Sequence, residues 1–157
     1  MNPYLLPVIE SGPVVIGRLV DLIPPAKWDD ALNPDRFTVR EVIAHLAAWE
    51  PISLARIQAA IERDCPTVEA FDEGAMAVEH RYDTSDVHER LRLFTENRRR
   101  TAEFLRGLPA ASFERKALHP ERGELTVADQ ANALIGHDLY HIEQLSEYLV
   151  VKTAATW

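Results

Sequence analysis

In the stretch Gly136-His137-Asp138-Leu139-Tyr140-His141-Ile142-Glu143-Gln144-Leu145, two histidines stand four residues apart. On a helix that spacing stacks them one turn apart on the same face. Leu134, His137, His141 and Leu145 then form one stripe, apolar except for the two rings, so both imidazoles are aimed at a core. A buried polar ring without a partner is costly. Any fold of this chain must therefore satisfy both rings from the interior, by hydrogen bonds or by a metal ion.

The remaining periodicity supplies the interior. Four long apolar-periodic segments, separated by proline, glycine and polar punctuation, predict an all-α four-helix bundle. The first predicted helix runs from about Ser11 to Leu22, with Val15, Leu19 and Leu22 facing inward, Pro13 in its first turn and Pro24-Pro25 ending it. The second opens on Thr38-Val39-Arg40-Glu41, which has capping-box spacing, and continues to about Arg63. Pro51 falls inside it and removes the usual partner of the Ala47 carbonyl. Its inward stripe is Val42, His45, Trp49 and Ile52, so a third histidine faces the core.

Two long connections follow. Residues 64–83 are expected to hold a short helix around Phe71 to Glu79. The third bundle helix is expected from an N-cap at Thr84 or Ser85 to Gly107, on a stripe of Val87, Leu91, Phe94, Thr101 and Leu105. Asn97 and Arg98 interrupt that stripe, marking either the wall of a cavity or a solvated bend. Residues 109–124 form the second long connection, with a turn at Pro120-Glu121-Arg122-Gly123. Thr126-Val127-Ala128-Asp129 caps the fourth helix, expected to reach about Val151. Its wide apolar arc, including Ala131, Ile135, Leu139 and Ile142, predicts burial on more than one side, as in a subunit interface.

Composition narrows the class of partner. The 157 residues carry 46% hydrophobic and 27% charged side chains, close to average usage, so a single folded domain spanning 1–157 is expected. A net charge of −8 argues against nucleic acid. The compact basic run Arg98-Arg99-Arg100 reads as a solvated helix face. Cys65 stands alone, which precludes an internal disulfide and fits a reducing compartment; with no basic start and no apolar stretch of spanning length, cytoplasm and no membrane association are expected.

Each histidine on its own reads as a satisfied core residue. Together, His45, His137 and His141 lie on the inward stripes of two long helices, and neutral imidazole is the commonest protein ligand for zinc and similar ions. Zinc, nickel, iron or manganese would suit such a set. Three neutral ligands leave at least one position open, the arrangement of a catalytic site. His-Glu-x-x-His peptidase chemistry does not fit, because Asp138 stands where the glutamate would be, and the di-iron Glu-x-x-His motif is absent. Glu41 and Gln144 are candidates to orient a ligand, Trp49 to wall a cavity. His80, His88 and His119 read as solvent-facing or locally bonded.

Three stretches in order resemble the DinB-like superfamily of small metal-binding four-helix bundles. They are Thr38-Val39-Arg40-Glu41-Val42-Ile43-Ala44-His45-Leu46-Ala47-Ala48-Trp49-Glu50, then His119-Pro120-Glu121-Arg122-Gly123-Glu124-Leu125-Thr126, then the Gly136 to Leu145 segment. The resemblance implies a divalent metal held by His45, His137 and His141, and a homodimer. It also implies a small-molecule substrate, with water or a low-molecular-weight thiol such as bacillithiol or mycothiol activated for hydrolysis or thiol transfer. The competing expectation is a non-catalytic, metal-stabilised dimeric bundle that binds a small molecule or protein. No catalytic residue beyond the ligands is assigned.

Overall fold

Four of the five α-helices among the described residues start at side chains that satisfy free backbone amides. The Thr38 hydroxyl accepts from the Glu41 amide at 3.3 Å while the Glu41 carboxylate accepts from the Thr38 amide at 2.8 Å. Thr126 and Asp129 repeat the arrangement. A computed structural model describes residues 2–150. It contains α1 (Leu5–Leu22), α2 (Val39–Glu62), α3 (Glu73–Glu79), α4 (Val87–Arg106), β1 (Lys116–His119), β2 (Gly123–Thr126) and α5 (Val127–Ser146).

Helices α1, α2, α4 and α5 make the expected four-helix bundle. Both α1 and α2 pack chiefly against α4 and α5. Consecutive helices α1 and α2 thus stand across the diagonal from each other, as do α4 and α5. A diagonal step has to cross an end of the bundle, which accounts for the long connections at 23–38 and 107–126. The second of these is more ordered than a turn. Its strands pair antiparallel, Lys116 with Thr126 through His119 with Gly123, around a glycine at φ +76°, a conformation that L side chains rarely adopt. Backbone bonds from Val68 to the Leu118 carbonyl (3.0 Å) and from Leu118 to the Pro66 carbonyl (2.9 Å) attach the 66–68 segment to β1. The connection between α2 and α4 is thereby tied to the one between α4 and α5.

Several boundaries differ from expectation. Helix α1 begins at Leu5 instead of Ser11 and buries Leu5, Ile9, Gly12, Pro13, Ile16 and Val20, leaving Leu22 65% exposed. Its true stripe starts two turns earlier, and Pro13 lies mid-helix. The N-cap of α4 is Asp86, whose carboxylate accepts from the Glu89 amide at 2.7 Å, in place of Thr84 or Ser85. Helix α5 ends at Ser146 and passes into a 3-10 turn over Glu147–Leu149; Val151, its expected end, lies outside the described residues.

The apolar core is divided in two. One cluster gathers Leu5, Ile9, Ile57, Ala60, Leu105, Phe113 and Leu134; the other gathers Ile16, Val20, Val42, Leu46, Phe94 and Leu145. Between them runs a polar belt to which all four bundle helices contribute. Arg98, read from sequence as solvated, is 1% exposed at its centre. Its guanidinium forks onto Asp138, Nη1 to Oδ2 at 2.5 Å and Nη2 to Oδ1 at 2.9 Å. Its Nε stands 2.9 Å from Glu50 Oε1, a charge contact in which the N–H is not aimed at the oxygen. Burial alone would lower the Arg98 pKa, but Asp138 and Glu50 outweigh it and hold the pKa above its ordinary value.

Prolines complete the belt. Pro13 has no N–H to give the Ile9 carbonyl, and Arg98 Nη1 donates to that oxygen at 3.0 Å. Pro51 likewise frees the Ala47 carbonyl, and Asn97 Nδ2 donates to it at 3.4 Å, a long bond. Asn97 and Arg98, which break the apolar stripe of α4, thus serve two carbonyls that prolines released. Gly12 makes the close approach possible: a Cβ there would lie 2.0 Å from Asp138 Oδ2 and 3.1 Å from Arg98 Nη1.

Candidate metal centre

His45 from α2 and His137 and His141 from α5 meet in the same belt, as their stripes required. His45 Nε2 lies 2.8 Å from His137 Nε2, and His141 Nε2 lies 3.2 Å from the same atom. One ligand atom from each ring falls within 4.8 Å of the others. His45 and His141 are buried and His137 is half-buried.

The protonation pattern follows from the neighbours. Gln144 Nε2 donates to the Phe37 carbonyl at 2.5 Å, which turns the amide oxygen toward His141 Nδ1, 3.1 Å away. A carbonyl oxygen only accepts, so His141 Nδ1 carries the proton and Nε2 carries a lone pair. His137 Nε2 has a single position for a proton and two close nitrogen neighbours. If it donates to His141, it has no lone pair left for His45; if it accepts from His45, two lone pairs face each other at 3.2 Å. Hydrogen bonds among the rings therefore leave one contact unresolved, and His45 Nδ1 is buried without a partner. A cation placed among the three Nε2 atoms resolves the contacts between the rings at once and leaves the His45 proton on Nδ1, so the donor set fits a divalent ion.

Electrostatics keep the set neutral. Burial, reinforced by His141, lowers the His45 pKa to about 3. Burial and the charges His141, His45, Arg98 and Arg122 would carry lower that of His137 to about 2. Burial lowers that of His141 to about 4, against the Gln144 bond that raises it. At neutral pH all three rings hold the lone pairs that metal binding needs.

Trp49 stands beside the cluster, its ring 5.4 Å from His45 and 6.2 Å from His137. It also lines a cavity of about 90 Å³ that reaches His137. Of the secondary candidates, Gln144 does orient the His141 ring, whereas the contact the structure gives Glu41 is its capping bond. His80 and His88 are exposed as expected. His119 takes the other expected alternative, a local bond, its Nδ1 accepting from the Glu121 amide at 3.2 Å, but it is also 4% exposed and lines the same cavity as His137. The hairpin that buries it left only a turn signal in the sequence. Asp138 faces away from the cluster into the Arg98 fork and is not placed to serve as a base there.

A model of the DinB superfamily matches residues 14–145. The chain belongs to the DinB superfamily. Two bacterial DinB relatives are named as inferred metal-dependent hydrolases. YfiT of Bacillus subtilis is 27% identical over 141 residues, covering 89% of this chain and 79% of its own. OB0782 of Oceanobacillus iheyensis is 25% identical over 138 residues, covering 88% and 80%. The solved structure of B. subtilis YfiT, described as having an unusual four-helix bundle topology, superimposes with a TM-score of 0.83 at 25% identity. That match covers 92% of this chain and 85% of YfiT. A mycothiol-dependent maleylpyruvate isomerase shares the fold, with a TM-score of 0.74 at 15% identity over 90% of this chain and 59% of that one. In this DinB chain α1 and α2 stand across the bundle diagonal from each other. No helix among the described residues is long and apolar enough to cross a membrane.

Proposed function

We propose that this DinB chain binds one divalent metal ion through Nε2 of His45, His137 and His141, and that it is a metal-dependent enzyme acting on a small molecule in the adjoining cavity. The observation that carries this reading is the convergence of three neutral imidazoles that hydrogen bonds among themselves leave unresolved. When bound, the ion would supply a Lewis acid able to activate water for hydrolysis or a low-molecular-weight thiol for transfer. The chain's own residues do the rest. Gln144 fixes the His141 tautomer and passes the constraint to the Phe37 backbone. Trp49 walls the cavity. His119, with Nδ1 occupied by a backbone amide, carries its neutral-state proton on Nε2 and is the titratable ring across the cavity from His137.

The relatives' names favour hydrolysis, and the fold shared with a thiol-dependent isomerase makes a thiol the second cosubstrate to test. A non-catalytic reading draws support from Asp138, because the acidic residue beside the ligands is held by Arg98. Leu139 (63% exposed) and Tyr140 (54%) on the outer face of α5 are the surface we assign to a homodimer, which sedimentation would test. A cytoplasmic location is part of the same proposal. The test of function is metal analysis joined to turnover. Wild-type protein is expected to carry about one ion per chain and to turn over either activated esters or a thiol with an electrophile, and His141→Ala to lose both. Full ion content in His141→Ala would overturn the ligand assignment; bound ion with no turnover of either substrate class would favour the non-catalytic bundle.

A further inference from the structure

Most of the polar side chains that line the cavity beside the histidines can donate hydrogen bonds. Arg56 reaches it from α2, Arg122 from the hairpin turn, His119 from β1 and Gln130 from α5. Guanidinium groups have donors and no acceptor. Arg56 Nη2 is engaged with the Glu69 carbonyl at 2.5 Å, but Arg56 Nε is buried without a partner. The faces of Trp49 and Phe71, 5.5 and 5.7 Å from the guanidinium carbon, hold that group in place. Gln130 Nε2 is a second buried donor without a partner. His119 Nε2 carries the proton of the neutral ring because Nδ1 accepts from the Glu121 amide.

Charge points the same way. Among the described residues neither Arg56 nor Arg122 forms an ion pair, although most arginines of this acidic chain do. Burial and the like charge of Arg122 lower the Arg56 pKa, and Glu121 and Glu69 offset this only in part. One acid, Glu73, lines the cavity, and burial raises its carboxyl. One carboxylate against two guanidiniums and two unpartnered N–H groups leaves the cavity short of acceptors. An oxyanion, with several lone pairs per oxygen, is the ligand class that corrects the shortage.

We propose that this cavity is an oxyanion subsite, in which Arg56 and Arg122 seat the carboxylate or phosphate of a small-molecule substrate so that its reacting end faces His137. The orientation toward His137 rests on the metal reading above; the anion site itself does not.

Isothermal titration of the ion-bearing full chain tests this with succinate, inorganic phosphate and neutral succinamide. At least one anion is expected to bind, succinamide to bind at least tenfold more weakly than succinate if succinate is the preferred anion, and Arg122→Ala and Arg56→Gln each to weaken the anion about tenfold or more. Preference for succinate assigns a carboxylate, and preference for phosphate a phosphoryl group. Arg122 is exposed in a turn, so Arg122→Ala keeps the test valid if Arg56→Gln fails to fold. Absence of binding by both anions, equal affinity for succinate and succinamide with phosphate inert, or anion affinity unchanged in Arg122→Ala would overturn the proposal. Repeating the titration on His141→Ala separates the two readings. Arginine-dependent binding by ion-free protein leaves the subsite standing without the metal, whereas wild-type ion content with no anion binding removes the subsite and keeps the metal.

Discussion

The polar belt holds two kinds of buried polar cluster side by side, and α5 supplies adjacent residues to both. Asp138 belongs to a cluster whose charges answer one another: Arg98 meets Asp138, Glu50 and a proline-freed carbonyl. His137 belongs to a cluster whose nitrogens crowd together without a hydrogen-bonding pattern that satisfies them all. Both are interior and both are polar, so burial of polarity does not by itself mark a functional site. The difference is closure. A cluster whose charges meet opposite charges holds helices together, even with Arg98 Nε and Glu50 Oε1 outside any hydrogen bond, and one whose nitrogens face one another is shaped for something the chain does not supply.

That contrast can be broken most severely at Arg98. Replacing it with methionine would leave Glu50 and Asp138 buried without their cation, and we predict a loss of about 3–5 kcal/mol in urea unfolding. Arg99→Met, on the solvated side of the same run, should stay within about 0.5 kcal/mol. Equal effects from the two would sink the view that Arg98 is the closed cluster's centre.

Acid should act on the other cluster. In ion-free protein the folded-state pKa values of His45, His137 and His141 lie near 3, 2 and 4, below the ordinary 6.5 of an unfolded chain. The unfolded state therefore takes up protons first as pH falls. The histidines' contribution is fully present above about pH 6.5 and is lost progressively below it, by up to about 4 kcal/mol at pH 5.5 if all three act independently. Denaturant midpoints that stay flat between pH 7 and 5.5 would contradict this, as would a slope that is undiminished when His45 and His141 are both replaced.

Smaller perturbations sharpen the boundary between the clusters. Gly12→Ala pushes a methyl against Asp138 and should cost about 1–3 kcal/mol, with ion content per folded chain retained. Gln144→Leu removes the group that sets the His141 tautomer. It should weaken ion affinity about ten- to a hundredfold, read by competition with a chelating dye, in addition to the roughly 1–3 kcal/mol that unpairing the buried His141 Nδ1 and the Phe37 carbonyl costs the ion-free protein. Should Gln144→Leu bind the ion as tightly as wild type, the tautomer argument fails.

The incomplete cluster was the more legible of the two in sequence. His137 and His141 announce themselves by four-residue spacing on one stripe, and His45 by its place on the stripe of α2. The bundle was equally legible, because Thr38 and Thr126 stand at capping-box spacing from Glu41 and Asp129. Arg98 was not, since its run with Arg99 and Arg100 has the look of a solvated face. Its partners Gly12, Glu50 and Asp138 lie on three other helices, and no local period connects them. The early start of α1 was hidden by Pro7 and Pro13, although Leu5, Ile9, Ile16 and Val20 keep helical spacing across them. His119 was obscured for a different reason: strands of four residues carry too little alternation to show which side they bury.

The released carbonyls of Ile9 and Ala47 also act as a vernier. A smooth helix offers a neighbour the same ladder at every turn, so two helices can slide by one turn, about 5.4 Å, and find similar contacts. A proline opens one oxygen at one height. Consecutive residues of α4, Asn97 and Arg98, read two such heights at once, one on α2 and one on α1. A slip that suited one would miss the other. The vertical alignment of α1, α2 and α4 is thereby fixed, the Arg98 fork onto Asp138 carries it to α5, and the placement of the imidazoles is set partly by two residues that lack an N–H.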